Sequence, residues 1–185
     1  MNKDDTLILF GRSPFINEIK DSIPKLIKNW HTVGCNYFCD TFPDVEYVAF
    51  YDNILPAVKD STIITDIKNA DNEVVKSHKH ELYYIKKDSW KFSEDKDTLH
   101  LCVHTPSMVL NWAYLKGYKN VVIAGIDLIP DTAHFDSCAK IFCDKAIDEA
   151  RRHLETIAKR YVNIYQLNPN SYLELDKISL SSLSA

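Results

Sequence analysis

The sequence has little glycine and proline, and no two of its cysteines have the spacing of a metal ribbon. Four glycines and seven prolines among 185 residues exclude collagen-like and low-complexity proteins. The five cysteines are odd in number and contain no C-x-x-C pair, which disfavours a zinc ribbon or a thioredoxin motif. With no secretory leader in the sequence, this cysteine usage predicts a reducing, cytoplasmic location.

The chain also lacks an excess of positive charge and a long apolar run. It carries 22 Lys and Arg against 26 Asp and Glu, a net charge of −4, which argues against nucleic acid as a partner bound through bulk charge. The opening segment MNKDDTLILF is acidic, and its apolar run is too short for a signal or a membrane span. We therefore expect no integral membrane segment, while the oligomeric state stays open.

Hydrophobic residues make up 45% of the chain and charged residues 26%, as in an ordinary globular protein. A chain of 185 residues corresponds to one domain, and it buries about 70% of the surface that its unfolded state exposes. We predict one domain over residues 1–178 and a flexible tail over residues 179–185.

Apolar runs of strand length alternate with segments of helical periodicity. This alternation predicts an α/β fold, a Rossmann-like, doubly wound and mainly parallel sheet in one domain. Ser13-Pro14 marks the start of a helix, and Gly117 marks the end of another. Strands are predicted over residues 6–10, 32–35, 45–50, 61–65, 82–85, 120–124 and 162–165, with the clearest later helices over 107–116 and 139–160.

Polar or small residues follow several of the predicted strands. Ligands of open parallel sheets bind beyond the carboxyl ends of the strands, and the N-terminus of a helix suits an anion. We therefore predict that an anionic ligand, a nucleotide, lies across these strand ends. Neither G-x-G-x-x-G nor a P-loop is present. The strand-end segments are Gly11-Arg12-Ser13, Asn36, Tyr51-Asp52-Asn53 and Gly125-Ile126-Asp127, and His104-Thr105-Pro106-Ser107 opens a helix.

Three side chains are candidates for a general base. His134 follows the strand that ends at Gly125, on a loop where such residues are often placed, and histidine has a suitable pKa. Asp136 and His104 are the substitutes. Asp95 and Asp97 have the D-x-D spacing of some metal sites, but they stand in a charged run that is typical of a solvated loop. We expect no metal site.

Several segments together resemble a known family. LILFGRSPFINEI is similar to the strand–GNGPSL–helix opening of the bacterial CMP-sialic-acid-dependent sialyltransferases (glycosyltransferase family 42), and also to the related archaeal pterin pyrophosphokinase-like proteins. TVGCNYFCDTFPDVEYVAFYDN and TPSMVLNWAYLKGYKNVVIAGIDL resemble later segments of that family, the second most specifically. HFDSCAKIFCDKAIDEARRHLETIAKRYVNIYQLNPNS is similar to its ending. The resemblance runs in order over most of residues 6–171.

The resemblance implies a metal-independent site for a cytidine nucleotide, with the nucleotide-sugar donor as substrate and no cofactor. It implies that Gly11 and Ser13 approach the phosphate, with Arg12 where the family has asparagine. The second histidine of the family's H-Y-x-x-H pattern falls on Cys138, which leaves His134 as the first. Contacts to phosphate, donor or nucleotide are implied for Asn36, Asn53, Thr105, Ser107, Gly125, Ile126, Asp127, Asn168, Asn170 and Ser171.

The function expected from these patterns is a glycosyltransferase-like enzyme that uses a nucleotide-activated sugar, CMP-linked and sialyltransferase-like. One alternative is a protein that binds a nucleotide or sugar phosphate without catalysis. Another is a nucleotide-dependent pyrophosphokinase-like enzyme, which would need Mg²⁺ and clustered carboxylates. Asp52 and Asp127 are the only pair that the sequence offers for that chemistry.

Overall fold

The computed structural model describes residues 1–87, 89–129 and 144–183. Its strands are β1 (Thr6–Phe10), β2 (His31–Cys35), β3 (Tyr47–Phe50), β4 (Thr62–Asp66), β5 (His80–Lys87), β6 (Thr98–Leu101), β7 (Asn120–Ala124), β8 (Asn163–Gln166) and β9 (Asp176–Lys177). Its α-helices are α1 (Phe15–Ile19), α2 (Ile23–Asn29), α3 (Glu73–Ser77), α4 (Thr105–Leu115) and α5 (Asp144–Arg152).

These strands form one sheet in the order β6-β5-β4-β3-β2-β1-β7-β8-β9, and every pairing is parallel. The chain builds outward from β1 to β6 and then returns to place β7 on the other side of β1. The prediction of a Rossmann-like, doubly wound parallel sheet is confirmed. The reversal of strand order between β1 and β7 is the point at which such sheets bind ligands.

The central strands are buried on both faces, as parallel strands covered by helices must be. Every residue of β1 is buried. Alternate side chains of β1 enter two cores: Leu7 and Leu9 pack with Trp112 of α4 on one face, while Ile8 and Phe10 pack with α1 and α2 on the other. Successive side chains of a strand point to opposite faces of the sheet, so β1 contributes to the core on both sides.

The strongest apolar runs give the predicted strands 6–10 and 120–124 with unchanged bounds. Gly117 ends α4 with a φ of 85°, as its predicted position after the helix requires. The described part of the predicted helix 139–160 is less regular, because α5 continues as a π-helix (His153–Ile157) and a 3₁₀ turn (Ala158–Arg160). Strands β6 and β9 were not predicted.

The segment predicted as a flexible tail is packed on the core as far as the structure describes it. Residues Leu180–Leu183 form a 3₁₀ helix, and the Leu183 side chain is buried. The Trp30 indole donates a hydrogen bond of 3.0 Å to the Leu183 carbonyl. The contact buries the apolar side chain of Leu183, and it gives the buried indole N–H of Trp30 a hydrogen-bond acceptor.

None of the helices in the described residues is long and apolar enough to span a bilayer.

Candidate functional site

The carboxyl ends of β1 and β7 meet at two glycines. Gly11 directly follows β1, and Gly125 directly follows β7. The Gly11 N–H donates to the Ala124 carbonyl at 2.8 Å, and the Ser13 N–H donates to the Gly125 carbonyl at 2.9 Å. The sequence predicts that these glycines lie at one edge of the sheet, and the structure places them side by side there.

The approach of the two strand ends excludes side chains at both glycines. A Cβ on Gly11 would lie 2.3 Å from the Gly125 carbonyl oxygen and 2.5 Å from Cγ1 of Ile126. Gly125 has a φ of +73°, and a Cβ there would lie 2.6 Å from Cγ1 of Ile16. Glycine is thus required at Gly11 by close packing, and at Gly125 by backbone conformation as well.

Asp127 connects the polar groups around the contact between Gly11 and Gly125. Its side chain is 2% exposed, and it accepts a hydrogen bond from the Ser13 hydroxyl and one of 3.2 Å from the Gln166 amide. The backbone carbonyl of Asp127 accepts a hydrogen bond of 3.4 Å from the Ser171 hydroxyl. The residues that follow β1, β7 and β8 are thereby joined into one network.

The electrostatics of Asp127 follow from its burial. Desolvation raises the pKa of its carboxyl, and hydrogen bonds from Ser13 and Asn168 together with the charge of Lys177 oppose that rise. The Lys177 ammonium is held near these loops by the carbonyls of Asn168, at 3.3 Å, and Ser171, at 3.4 Å. Burial therefore disfavours the charged form of this carboxyl relative to a free aspartate, and the surrounding donors partly compensate for that cost.

Asn36 and Thr105 form a second contact on the same edge. Asn36 follows β2 with a φ of 54°, and its side-chain oxygen accepts a hydrogen bond of 3.4 Å from the Thr105 hydroxyl at the start of α4. Left-handed backbone also occurs at Val103, with a φ of 65°, and Leu128, with a φ of 50°. For a β-branched residue this conformation is an outlier, and such strain clusters at functional sites.

Arg12 contributes a buried cation beside the glycines. It is 9% exposed, and its guanidinium lies 5.3 Å from the centre of the Tyr37 ring, within the range of a cation–π interaction. Because Arg12 lies in the turn between β1 and α1, its charge lies at the edge of the sheet formed by the carboxyl ends of the strands.

His104 and Ser107 organise the start of α4. The Nδ1 atom of His104 accepts a hydrogen bond of 3.2 Å from the Ser107 N–H, so His104 is the N-cap of the helix. The buried Ser107 hydroxyl donates to the His104 carbonyl at 2.7 Å and accepts from the Cys102 N–H at 2.7 Å. These contacts give both residues a role in positioning the helix start.

Burial lowers the pKa of His104 to about 4, which keeps its imidazole neutral at pH 7. A general base works best with a pKa near the operating pH and with its free nitrogen directed to the substrate. The cap contact occupies Nδ1, so the geometry favours a structural role for His104 over the predicted role of substitute base. His153 lies close by, and burial followed by the charge of His104 lowers its pKa to about 4.

The remaining predicted residues are spread over the same edge. Asn53 lies after β3 and accepts a hydrogen bond of 2.7 Å from the amide of Asn72, the N-cap of α3. Asn168 is buried, and Asn170 is exposed with its N–H on the Asn168 side chain at 2.9 Å. His134 and Asp136 lie outside the described residues, so their roles stay predictions.

Sequence reasoning missed Gln166, Val103 and Leu128. Gln166 is fully buried at the end of β8 and donates to both the Ile126 carbonyl and Asp127. Gln166 directly follows the strand predicted over residues 162–165. The rule that polar residues after predicted strands lie at the ligand-binding edge, which identified Asn36, therefore also identifies Gln166. The strained φ angles of Val103 and Leu128 have no such signal in the sequence.

Within residues 1–87, 89–129 and 144–183, no group of three or more His, Cys, Asp or Glu side chains is arranged to hold a metal ion. The predicted carboxylates Asp52 and Asp127 differ in setting, because Asp52 is exposed and Asp127 is buried among hydrogen-bond donors.

No protein-family model matches the chain, and no curated protein matches it. Among solved structures it is similar to the MAf glycosyltransferase from Magnetospirillum magneticum AMB-1, with 13% sequence identity and a TM-score of 0.68. The match covers 98% of this chain and 34% of that protein, so the chain spans about a third of the length of its structural neighbour. At this identity the likeness establishes a common fold.

Proposed function

We propose that the chain is a glycosyltransferase-like enzyme that binds a nucleotide-activated sugar, with the nucleotide phosphate beside Gly11 and Gly125. The observation that carries the proposal is the contact of these glycines at the reversal of strand order between β1 and β7, the point at which doubly wound parallel sheets bind their ligands. The glycosyltransferase with the same fold supports the class of reaction. The resemblance of the sequence to sialyltransferases supports a CMP-linked donor.

The charges at the site fit a phosphate. Arg12 is a cation at the edge of the sheet where β1 ends, and the Asp127 carboxyl is already engaged by donors of the fold, the Ser13 hydroxyl and the Gln166 amide. The Ser13 hydroxyl and the start of α4 provide further polar groups. A cytidine monophosphate leaving group needs this kind of stabilisation, because negative charge develops on its phosphate oxygen as the bond to the sugar breaks.

The proposed reaction is a direct displacement. A base removes the proton of an acceptor hydroxyl, whose oxygen forms a bond to the anomeric carbon of the sugar. The bond from that carbon to the phosphate oxygen breaks, and its electron pair remains on the phosphate. We propose His134 as the base, with Asp136 as a substitute, and no metal in the reaction.

A thermal-shift titration with CMP, CDP, UMP, UDP, GDP and ADP tests nucleotide binding. A ligand at 100 times its Kd stabilises the fold by about 2.7 kcal/mol, which raises the Tm of a chain of this size by roughly 5–10 °C. Ser13→Ala should reduce the shift, since the Ser13 hydroxyl lies at the site. The matched control is Ser77→Ala, because Ser77 lies on α3 and its hydroxyl contacts Glu73, Val74 and the adjacent His78. Absence of any shift with all six nucleotides contradicts the proposal.

Release of nucleotide from a panel of nucleotide sugars, measured by chromatography, tests catalysis. His134→Ala should lower turnover by roughly 10²–10⁴-fold, as expected for a lost general base, with nucleotide affinity changed by only a few-fold. His80→Ala is the control, since His80 is exposed and bonds to backbone carbonyls. Full turnover in His134→Ala refutes the assignment of the base.

The second candidate function is a nucleotide-binding protein without catalysis. The capped, neutral imidazole of His104 favours it, because one of the three predicted bases is thereby engaged in the fold. Nucleotide binding in the thermal-shift titration without release from any nucleotide sugar would establish this function instead.

A further inference from the structure

A cavity of about 420 Å³ lies at the edge of the sheet where β7 and β8 begin, opposite the edge that carries Gly11 and Gly125. Its lining comes from the last turn of α4 and the turn that follows it, and from the 3₁₀ turn (Ala158–Arg160) and the start of β8. Binding pockets for small molecules in proteins begin at about 300 Å³. The cavity is therefore large enough for one small organic molecule.

Three cationic side chains line this cavity: Lys119, Lys159 and Arg160. The Lys119 Nζ lies 3.8 Å from the Asp5 carboxylate, and the Lys159 Nζ donates to the uncharged carbonyl of Glu174 at 3.1 Å. Within residues 1–87, 89–129 and 144–183, neither Lys159 nor Arg160 forms an ion pair with a carboxylate. The cavity thus has a local excess of positive charge on a chain of net charge −4, which attracts an anion.

Three tyrosines give the cavity apolar ring faces and hydroxyl groups. Tyr114, Tyr118 and Tyr161 line it, and each is half-buried. The rings of Tyr114 and Tyr161 meet edge to face with their centres 5.3 Å apart, and Tyr161 stacks on the buried Phe92 at 4.4 Å. This packing holds the two rings in place, so the wall of the cavity is formed before a ligand binds.

The combination of groups fits an anionic sugar. The C–H face of a sugar ring packs on the ring of a tyrosine, and its hydroxyl groups exchange hydrogen bonds with phenol hydroxyls. A carboxylate or phosphate on the sugar pairs with Lys159 and Arg160. An inorganic anion would use the cations alone, and a neutral sugar would use the tyrosines alone.

The cavity is separate from the site between Gly11 and Gly125. Lys119 precedes β7 and Gly125 follows it. The five residues of β7 span roughly 16 Å at about 3.3 Å a residue. One small molecule therefore cannot contact both the cavity and the glycines.

We propose that this cavity binds a small sugar that carries a carboxylate or a phosphate. Lys159 and Arg160 contact the anionic group, and Tyr114 and Tyr161 contact the sugar ring. The inference goes beyond the proposed function, because the site is distinct from the edge where the nucleotide is proposed to bind.

An NMR titration of the whole ¹⁵N-labelled chain at constant ionic strength tests the site, with glucuronate, glucose 1-phosphate, glucose and inorganic phosphate as probes. The amide of Gly117 reports on the cavity, whereas the amides of Gly11 and Gly125 report on the opposite edge. At least one acidic sugar should shift the Gly117 resonance to saturation, with Gly11 and Gly125 unchanged. Glucose should bind at least about tenfold more weakly, since hydrogen bonds to charged groups are the strong ones, and phosphate about fivefold more weakly.

The K159Q/R160Q variant should bind the acidic sugar at least about tenfold more weakly, and Arg160→Gln alone at least about fivefold. Tyr161→Phe keeps the ring and removes the hydroxyl, so a loss of about fivefold is expected. The matched control is K25Q/K28Q, which removes two exposed charges from α2, on the other face of the sheet. Its affinity should stay within twofold of the wild type. Circular dichroism spectra and Tm values show that the variants are folded, and Arg160→Gln replaces the double variant if that one is altered.

The proposal is overturned if neither acidic sugar shifts Gly117 to saturation, or if phosphate binds as tightly as the acidic sugar. An equal loss in K159Q/R160Q and K25Q/K28Q, or an unchanged affinity in K159Q/R160Q, overturns it as well. Tighter binding of glucuronate supports the site with a carboxylate as the anionic group, and tighter binding of glucose 1-phosphate supports it with a phosphate. If no nucleotide stabilises the wild type while sugar binding depends on Lys159 and Arg160, the proposed function fails and the sugar site stands.

Discussion

Gly11→Ala should destabilise the fold by about 2–3 kcal/mol, the upper part of the range for overpacked buried sites. The added Cβ would lie 2.3 Å from the Gly125 carbonyl oxygen. That atom belongs to a backbone that pairs with β1, so the clash cannot be relieved by a side-chain rotation. The φ of Gly11 lies outside the left-handed region, and the cost is therefore steric alone.

Gly117→Ala provides the matched control. Gly117 has a φ of +85°, and nothing lies within 4 Å of a Cβ built on it. Its substitution has a backbone cost of about 1–2 kcal/mol and no steric cost. Gly125→Ala combines a φ of +73° with contact to Ile16, so its loss of stability should exceed that of Gly117→Ala.

Urea denaturation at pH 7 gives the free energies of unfolding, and thermal melts give the Tm values. For a chain of this size, 1 kcal/mol corresponds to about 2–4 °C, so Gly11→Ala should melt roughly 4–12 °C below the wild type. Gly11→Ala should also weaken nucleotide binding, because the clash with the Gly125 carbonyl displaces the strand ends at which the phosphate is proposed to bind. A Gly11→Ala protein as stable as the wild type would refute the close approach of β1 and β7.

Four further outcomes are expected. In the folded protein the pKa of His104 is about 4, so the free energy of unfolding falls by about 3 kcal/mol on account of this group as the pH drops from about 6.5 to 4. Urea midpoints measured over this pH range should show that His104→Asn, which keeps an N-cap side chain, loses the pH dependence due to residue 104 and retains that due to His153. Because the pKa of Asp127 is raised in the folded protein, its contribution to the free energy of unfolding falls as the pH rises above about 3.8. Urea midpoints of Asp127→Asn should lack this pH dependence. Leu183→Ala should reduce the free energy of unfolding by about 2 kcal/mol or more, and a value near zero would contradict its packing. EDTA should leave any sugar transfer unchanged, while loss of transfer that Mg²⁺ restores would favour the pyrophosphokinase-like alternative.

The candidate site was predictable where it depends on strand ends. Gly11 and Gly125 follow runs of buried apolar residues, and the rule that ligands bind beyond such ends placed them on one edge of the sheet. The pairing of Asn36 with Thr105 was not predictable, because these residues are far apart in the sequence and their contact depends on where α4 packs.

Three features depended on packing that no local pattern encodes. The short strand β6 lies at the edge of the sheet, where pairing with β5 decides its conformation. The segment 180–183 has the composition of a solvated end, yet Leu183 packs against the core and its carbonyl accepts from Trp30. The Nζ atoms of Lys68 and Lys87 lie 3.2 Å and 5.0 Å from the centre of the Tyr51 ring because β3, β4 and β5 are neighbours in the sheet.

The sequence by itself determined the class of fold, because continuous apolar runs are stable only when both faces of a strand are covered. It also determined which residues stand at the carboxyl ends of strands, since those positions follow from the runs. Only the tertiary structure decided which strands are neighbours, and therefore that Ser13, Asp127 and Gln166 form one network. Contacts between distant residues depend on strand order and on helix docking, and these follow from the packing of the whole core.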